Sequence, residues 1–304
     1  MKEIIKITIA LTISCLIAGS LMGGVFMITA KAKQQSEYMN IQQSLFGLLG
    51  YDSHHSAPPG LELCHLYRYI VEDESGVCSG YLIPVHNGAE TEYVFVILNQ
   101  TGKFVTQFHI AIQAEKLMNE ADRKTAIKTA AGPSKTIRYA DDMTIVRTGN
   151  QRTAYVLMGN FSGFKNFIHA MVALNSNFGI MGMEITSHEE DPGLGGEIEK
   201  EYFKNQFKGK SFEGLQILTV TKDPLPEDYR RYLETQKWQR RRISQTDAEV
   251  IGEKYHGADI HAISGATISS VCVTQGVKQL VKNFAYRIDL LDRAIQENKI
   301  PAAF

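Results

Sequence analysis

The chain has 304 residues, 44% hydrophobic and 21% charged, the range of an ordinary globular protein with room for one large domain or two small ones. Its 32 basic and 33 acidic side chains leave a formal net charge of −1, so composition offers no electrostatic footprint for nucleic acid. A chain disordered throughout and a nucleic-acid-binding protein are therefore set aside.

Residues 7–30 carry no charged side chain and are flanked by Lys2, Lys6, Lys31 and Lys33. At 1.5 Å per residue a helix over this run is about 36 Å long, enough to cross a hydrocarbon core of about 30 Å. A cleaved signal peptide would have an apolar region of about 7 to 15 residues ending in a small-residue cleavage site. Lipidation at Cys15 would want a leucine-like residue where Thr12 stands. The expectation is one retained transmembrane anchor in the lipid bilayer, within residues 1–33, whose flanking lysines balance too closely to orient it by charge.

Residues 31–49 can continue that helix as a stalk until Gly50 and the loop 52–60, where His54 and His55 read as solvated. Cys64 and His65 lack the cysteine that haem attachment needs at Leu61, and Cys15, Cys64, Cys78 and Cys272 form no metal-ligand set. A Cys64–Cys78 disulfide and two separate thiols both remain open. From Tyr93 the pattern turns β: a strand over 93–98, a turn at 99–102, then Phe104, Phe108, Ile110 and Ile112 on one face of a hairpin.

A short helix is expected over 115–130 and strands over 144–147 and 153–158. Ile168, Ala170, Val172 and Leu174 alternate, a turn follows at 175–179, and 180–186 forms the return strand. Residues 196–207 read as a helix, 215–220 as a strand, and the polar stretch 221–257 contains a basic segment, 238–242, that reads as a solvated helix face. The fold class expected is α+β: one N-terminal transmembrane helix, then a twisted, largely antiparallel sheet packed with helices.

The run Ser264-Gly265-Ala266-Thr267-Ile268-Ser269-Ser270 packs small and hydroxyl residues ahead of Val273, Val277, Leu280, Val281, Phe284 and Ile288, which recur at helical spacing. Thr267 thus stands at a helix start, where unpaired N–H groups and the helix dipole favour a phosphate. Gly265 and Ala266 leave room for a bulky group, and Thr267 offers a hydroxyl for a phosphoryl donor. An ordinary Ser/Thr-rich helix cap fits the same residues. Upstream, His188-Glu189-Glu190-Asp191-Pro192-Gly193-Leu194-Gly195 contains a turn with flexible glycines.

Together these two segments resemble the FMN-binding domains of the flavin-carrying G subunit of Rnf complexes and of the C subunit of sodium-pumping NADH:quinone reductase. Ser264 to Ser269 match the S/T-G-A-T-x-S/T hallmark, and His188 to Gly195 are similar to the H-x-E-T-P-G-L-G loop. The resemblance implies FMN joined by a phosphoester to Thr267, loaded from FAD by a magnesium-dependent flavin transferase. It implies further contacts from Ser264, Gly265, Ala266 and Ser269, and from Glu190, Pro192, Gly193 and Leu194 against the isoalloxazine. Three departures stand out: Asp191 replaces a threonine, adding a negative charge expected to lower the flavin potential; His261 replaces an aspartate, with Asp259 nearby; and Asn160-Phe161-Ser162-Gly163 keeps only one glycine of a glycine-rich stretch.

On this resemblance the chain divides into anchor (1–33), stalk and loop (34–60), an expanded N-terminal part (61–160), an FMN-binding domain (161–290) and a tail (291–304). The expected function is that of a single-pass electron-transfer protein of the inner membrane, its soluble domain outside the cytoplasm, working among the other membrane subunits of an Rnf-type ferredoxin:NAD oxidoreductase coupled to ion transport. The alternatives are a counterpart of the quinone reductase's flavin-carrying component, a free-standing flavinylated carrier, and, in a different class, a flavin-free tethered sensory or scaffolding domain. No nucleophile-base-acid set, P-loop, G-x-G-x-x-G turn or metal cluster is visible, so no catalytic or metal residue is assigned.

Overall fold

The computed structural model describes residues 2–52, 55–73, 76–87, 90–234 and 243–304, so His54 and the basic segment 238–242 lie outside the described residues. The chain divides into two compact units, Met1–Gly47 and Leu48–Phe304. The first is essentially one helix, α1 (Lys2–Leu48), and its Lys2–Thr29 portion is long and apolar enough to cross a membrane. Ile9, Leu16, Leu21 and Phe26 are among its exposed apolar side chains, as a lipid-facing helix requires.

The second unit is built on an eight-stranded antiparallel sheet comprising β1 (Leu61–Asp73), β2 (Gly76–Asn87), β3 (Glu90–Leu98), β4 (Phe104–Ile110), β5 (Thr136–Thr148), β6 (Gln151–Ser162), β7 (Phe167–Asn175) and β8 (Ile180–Ser187). Their order is β4-β3-β2-β1-β5-β6-β7-β8, two meanders joined where β5 returns beside β1. The connection between them carries α2 (Glu120–Ala131), capped by Asn119, whose side chain accepts from the amides of Ala121 and Asp122.

Both faces of the sheet are covered. Leu66, Ile145, Leu157, Ala170 and Val172 point to one core together with the long helix α7 (Thr267–Glu297), while Tyr69, Leu82, Phe95 and Ile137 point to a second with Ile127 of α2. Along α7, Val273, Val277, Val281, Phe284, Ile288 and Leu291 are each at most 2% exposed, and a buried side chain of this kind contributes about 1.5–3 kcal/mol. That stripe fixes how α7 lies on the sheet and therefore where Thr267 stands.

Between β8 and α7 the chain forms α3 (Glu201–Lys204), α4 (Phe212–Ile217), a two-residue strand β9 (Val220–Thr221), α5 (Glu227–Leu233), α6 (Gln245–Tyr255) and β10 (Ile260–His261), which pairs with β9 in parallel. Two expectations are corrected here. The strand expected over 215–220 is the helix α4 as far as Ile217, because Ser211 accepts from Gly214 N at 3.0 Å and caps a helical turn that buries Leu215. The helix expected over 196–207 is broken into 3-10 turns around α3, with Lys200 in extended conformation. Cys64 and Cys78 are free thiols, Cys64 in the α7 core and Cys78 against the α2 core, so no disulfide joins them.

Candidate functional site

Thr267 is the first residue of α7, half-buried, with Ser264 and Gly265 exposed before it. Gly265 sits at φ +78°, a left-handed conformation that glycine adopts without strain. Around it Ala266 N donates to Ile263 O at 2.9 Å, and Ile263 N donates to Ser270 Oγ at 3.0 Å, tying the turn to the first turn of the helix. β10 delivers the chain into this turn, with Ala262 N bonded to Thr221 O at 2.9 Å.

The first helical hydrogen bond runs from Ser270 N to Ala266 O at 3.1 Å. The helix cap is Ala266, which has no side-chain acceptor, so the amides of Thr267, Ile268 and Ser269 keep their donors. Three N–H groups at the positive end of a helix form a seat for an anion, and a phosphate esterified to the Thr267 hydroxyl would lie at that seat. The donor set fits the FMN phosphate.

The second motif is brought to the same place. Ser269 Oγ donates to Glu190 Oε2 at 2.5 Å, and Glu190 Oε1 accepts from Phe164 N at 2.7 Å and Lys165 N at 3.1 Å. Glu190 is 5% and Ser269 2% exposed, so both side chains serve as an internal brace between three segments. Glu190 N in turn donates to His188 Nδ1 at 3.0 Å, which leaves the proton on His188 Nε2 to face Glu199 Oε1 at 2.9 Å.

Glycines make this closeness feasible. A Cβ at Gly195 would lie 2.5 Å from Glu190 Oε2 and 2.9 Å from Ser269 Oγ, and one at Gly163 would lie 2.5 Å from Glu190 Oε1. Gly193 is at φ +74° and turns the loop back so that Leu194, 47% exposed, reaches to 3.0 Å from where a Gly265 Cβ would stand. Ile268, 57% exposed, adds another apolar side chain at the helix start.

The departures have partners. Asp191 forms an ion pair with Lys165, a contact that the sequence did not signal. His261 Nδ1 lies 3.0 Å from Asp223 O, and its backbone amide donates to Gln206 Oε1 at 2.7 Å. The Asp259 carboxylate accepts from Thr219 N at 2.8 Å, and the hydrogen bonds from Thr219 hold it below the usual carboxylate range. The brace role of Glu190 and Ser269 was also missed; the only cue was a carboxylate and a hydroxyl within two small-residue segments.

Residues 163–282 match the family described as FMN-binding domain. The G subunit of the proton-translocating ferredoxin:NAD(+) oxidoreductase complex of Clostridium ljungdahlii is 29% identical over 185 residues, 60% of this chain and 77% of that protein. The C subunit of the Na(+)-translocating NADH-quinone reductase of Yersinia pestis is 25% identical over 134 residues, 42% of this chain and 50% of that protein. The crystal structure of the corresponding quinone-reductase protein from Parabacteroides distasonis is 18% identical, covers 67% of this chain and 78% of that one, and superposes with a TM-score of 0.35, too low to support an argument.

Proposed function

For a chain that belongs with the FMN-binding domains of these complexes, we propose an electron-transfer role in an Rnf-type membrane complex, through FMN esterified to Thr267. The observation that carries this is the open start of α7: the motif threonine stands where three backbone amides have no acceptor among the described residues, braced to the second motif through Ser269 and Glu190. FMN supplies the capacity to accept and release one or two electrons. The protein's own residues would hold the phosphate at the amides of 267–269 and offer Leu194 and Ile268 as apolar cover for a ring, while Ser269 and Glu190 keep the two loops in register.

Attachment is a phosphoryl transfer. The Thr267 hydroxyl oxygen would bond to the FMN-side phosphorus of FAD as the pyrophosphate bond breaks, AMP leaving with the electron pair and the hydroxyl proton passing to a base of the flavin transferase. The apolar Lys2–Thr29 helix serves as a single-pass inner-membrane anchor that holds the domain outside the cytoplasm beside the other membrane subunits, raising their effective concentration. The higher identity to the ferredoxin:NAD(+) oxidoreductase relative, 29% against 25%, favours coupling between ferredoxin and NAD with ion transport over the quinone reductase.

Mass spectrometry of the peptide containing Thr267 tests the attachment. The expected gain is the mass of FMN less one water; an unmodified peptide after co-expression with an active transferase would contradict it.

A further inference from the structure

The ladder between β5 and β6 runs from Thr148↔Gln151 to Met143↔Leu157 and stops. Beyond that point residues 136–139, 141 and 142 of β5 pair only with β1, and residues 158–162 of β6 only with β7. The β1–β5 register shifts between Arg68 and Tyr69 in the same stretch, and β5 and β6 are left there as two strand edges with no shared ladder. Among the described residues no other strand pairs with either edge.

A cavity of about 780 Å³ fills the split, with Asp141 on one edge, Asn160 on the other, and Gln275, Gln279, Asn283 and Arg287 of α7 along its third side. Phe161 forms its floor, held so closely that a Cβ at Gly159 or Gly276 would come within 2.6 or 2.3 Å of the ring. Asn160, Gln275, Gln279 and Asn283 are exposed, so the cavity is open to solvent.

We propose that this cleft takes up an extended, acidic segment of a partner protein as an added strand between β5 and β6. Open strand edges present N–H and C=O groups to which an extended backbone is the natural complement. The α7 stripe agrees: positions four apart on a helix are about 6 Å apart, close to the two-residue repeat of about 6.8 Å in an extended chain. Amide side chains at Gln275, Gln279 and Asn283 both donate and accept, as a peptide backbone requires. From Gln275 to Arg287 the stripe covers about 18 Å, the length of about five extended residues.

The charge at the far end selects the acidic class. Arg68 Nε and Nη2 donate to Asp141 at 2.8 and 2.5 Å, and Arg287 Nη1 donates to the same carboxylate at 3.0 Å. Two guanidinium groups thus share one carboxylate. Asp142 also lines the cleft, its carboxyl pushed up from the ordinary value by burial. β5 and β6 precede the 163–282 family match, so the cleft lies between the matched domain and the N-terminal part. The inference does not depend on the flavin.

The test is selection of a phage-displayed random heptapeptide library on the full chain in lipid nanodiscs, with flavinylated protein and Thr267→Val in parallel. Expected are peptides with an acidic residue at one fixed end that bind both forms, slow amide deuterium exchange over 139–142 and 158–162, and bind about tenfold more weakly to Arg287→Gln or Gln279→Ala. N-methylation of alternate peptide residues should abolish binding. No enrichment, or binding indifferent to those substitutions and to N-methylation, overturns the proposal. Slowing of both edges by flavin loading alone also overturns it, by giving the cleft to the flavin ring. Loss of covalent flavin with peptide binding intact would instead sink only the flavin reading.

Discussion

The hydroxyl of Ser269 and the carboxylate of Glu190, 79 residues apart, meet at 2.5 Å in a buried contact that joins the two motif segments. Removing the carboxylate leaves the Ser269 hydroxyl and the Phe164 and Lys165 amides without their acceptor. Glu190→Ala is therefore expected to lower the unfolding free energy by about 2–4 kcal/mol, and a double-mutant cycle with Ser269→Ala to give a coupling of about 1–3 kcal/mol. Urea unfolding of the four proteins measures both; additive effects would show that the brace carries no energy.

The two loop glycines should behave differently. At Gly195 a Cβ meets Glu190 Oε2 at 2.5 Å, so Gly195→Ala is expected to cost about 1–3 kcal/mol by overpacking and to spoil flavin attachment. At Gly193 nothing lies within 4 Å, and Gly193→Ala carries only the cost of φ +74°, about 1–2 kcal/mol, with attachment retained. Thermal unfolding and flavin content of the pair check the contrast.

Leu194 is 47% exposed, so Leu194→Ala should change stability by no more than about 0.5 kcal/mol. As apolar cover for the ring it should nonetheless alter the flavin's absorption and fluorescence. Spectra identical to those of the parent protein would place the ring elsewhere.

Asp191 alone would lower the flavin potential, and Lys165 offsets that charge. Lys165→Gln is expected to move the midpoint negative and Asp191→Asn positive. Both side chains are roughly half exposed, so screening should hold each shift below about 30 mV, the equivalent of a tenfold change for two electrons. Spectroelectrochemical titration reads the sign, and shifts in the same direction for both variants would refute the compensation.

The Asp259 contact to Thr219 has a definite pH sign. Its folded pKa is depressed by the hydrogen bonds from Thr219, below the ordinary 3.8. The stability it contributes is fully present above 3.8 and disappears as pH falls through the lower folded value. The difference in unfolding between the parent and Asp259→Asn should therefore be largest near neutral pH and shrink in acid; a constant difference would assign the effect to another cause.

Periodicity made the long elements legible. The stripe Val273, Val277, Val281, Phe284 and Ile288 announced α7 and put Thr267 at its start, and alternation revealed the β3–β4 and β7–β8 hairpins. β1 and β2 were not legible, because Leu66, Tyr67, Tyr69, Leu82 and Ile83 are buried on both faces and the alternation disappears. The Glu190–Ser269 and Asp191–Lys165 contacts were hidden for another reason: they depend on how distant segments meet, which local pattern does not encode. The short helix α4 was misread because Leu215 and Leu218 look like strand residues unless the Ser211 cap is weighed.

The most direct test of covalent FMN at Thr267 is in-gel flavin fluorescence after denaturing electrophoresis, with the full chain co-expressed with a flavin transferase beside Thr267→Val. A fluorescent band in the parent and none in the variant is the expected result. A band in both proteins, or in neither while the transferase modifies a control substrate, would contradict it.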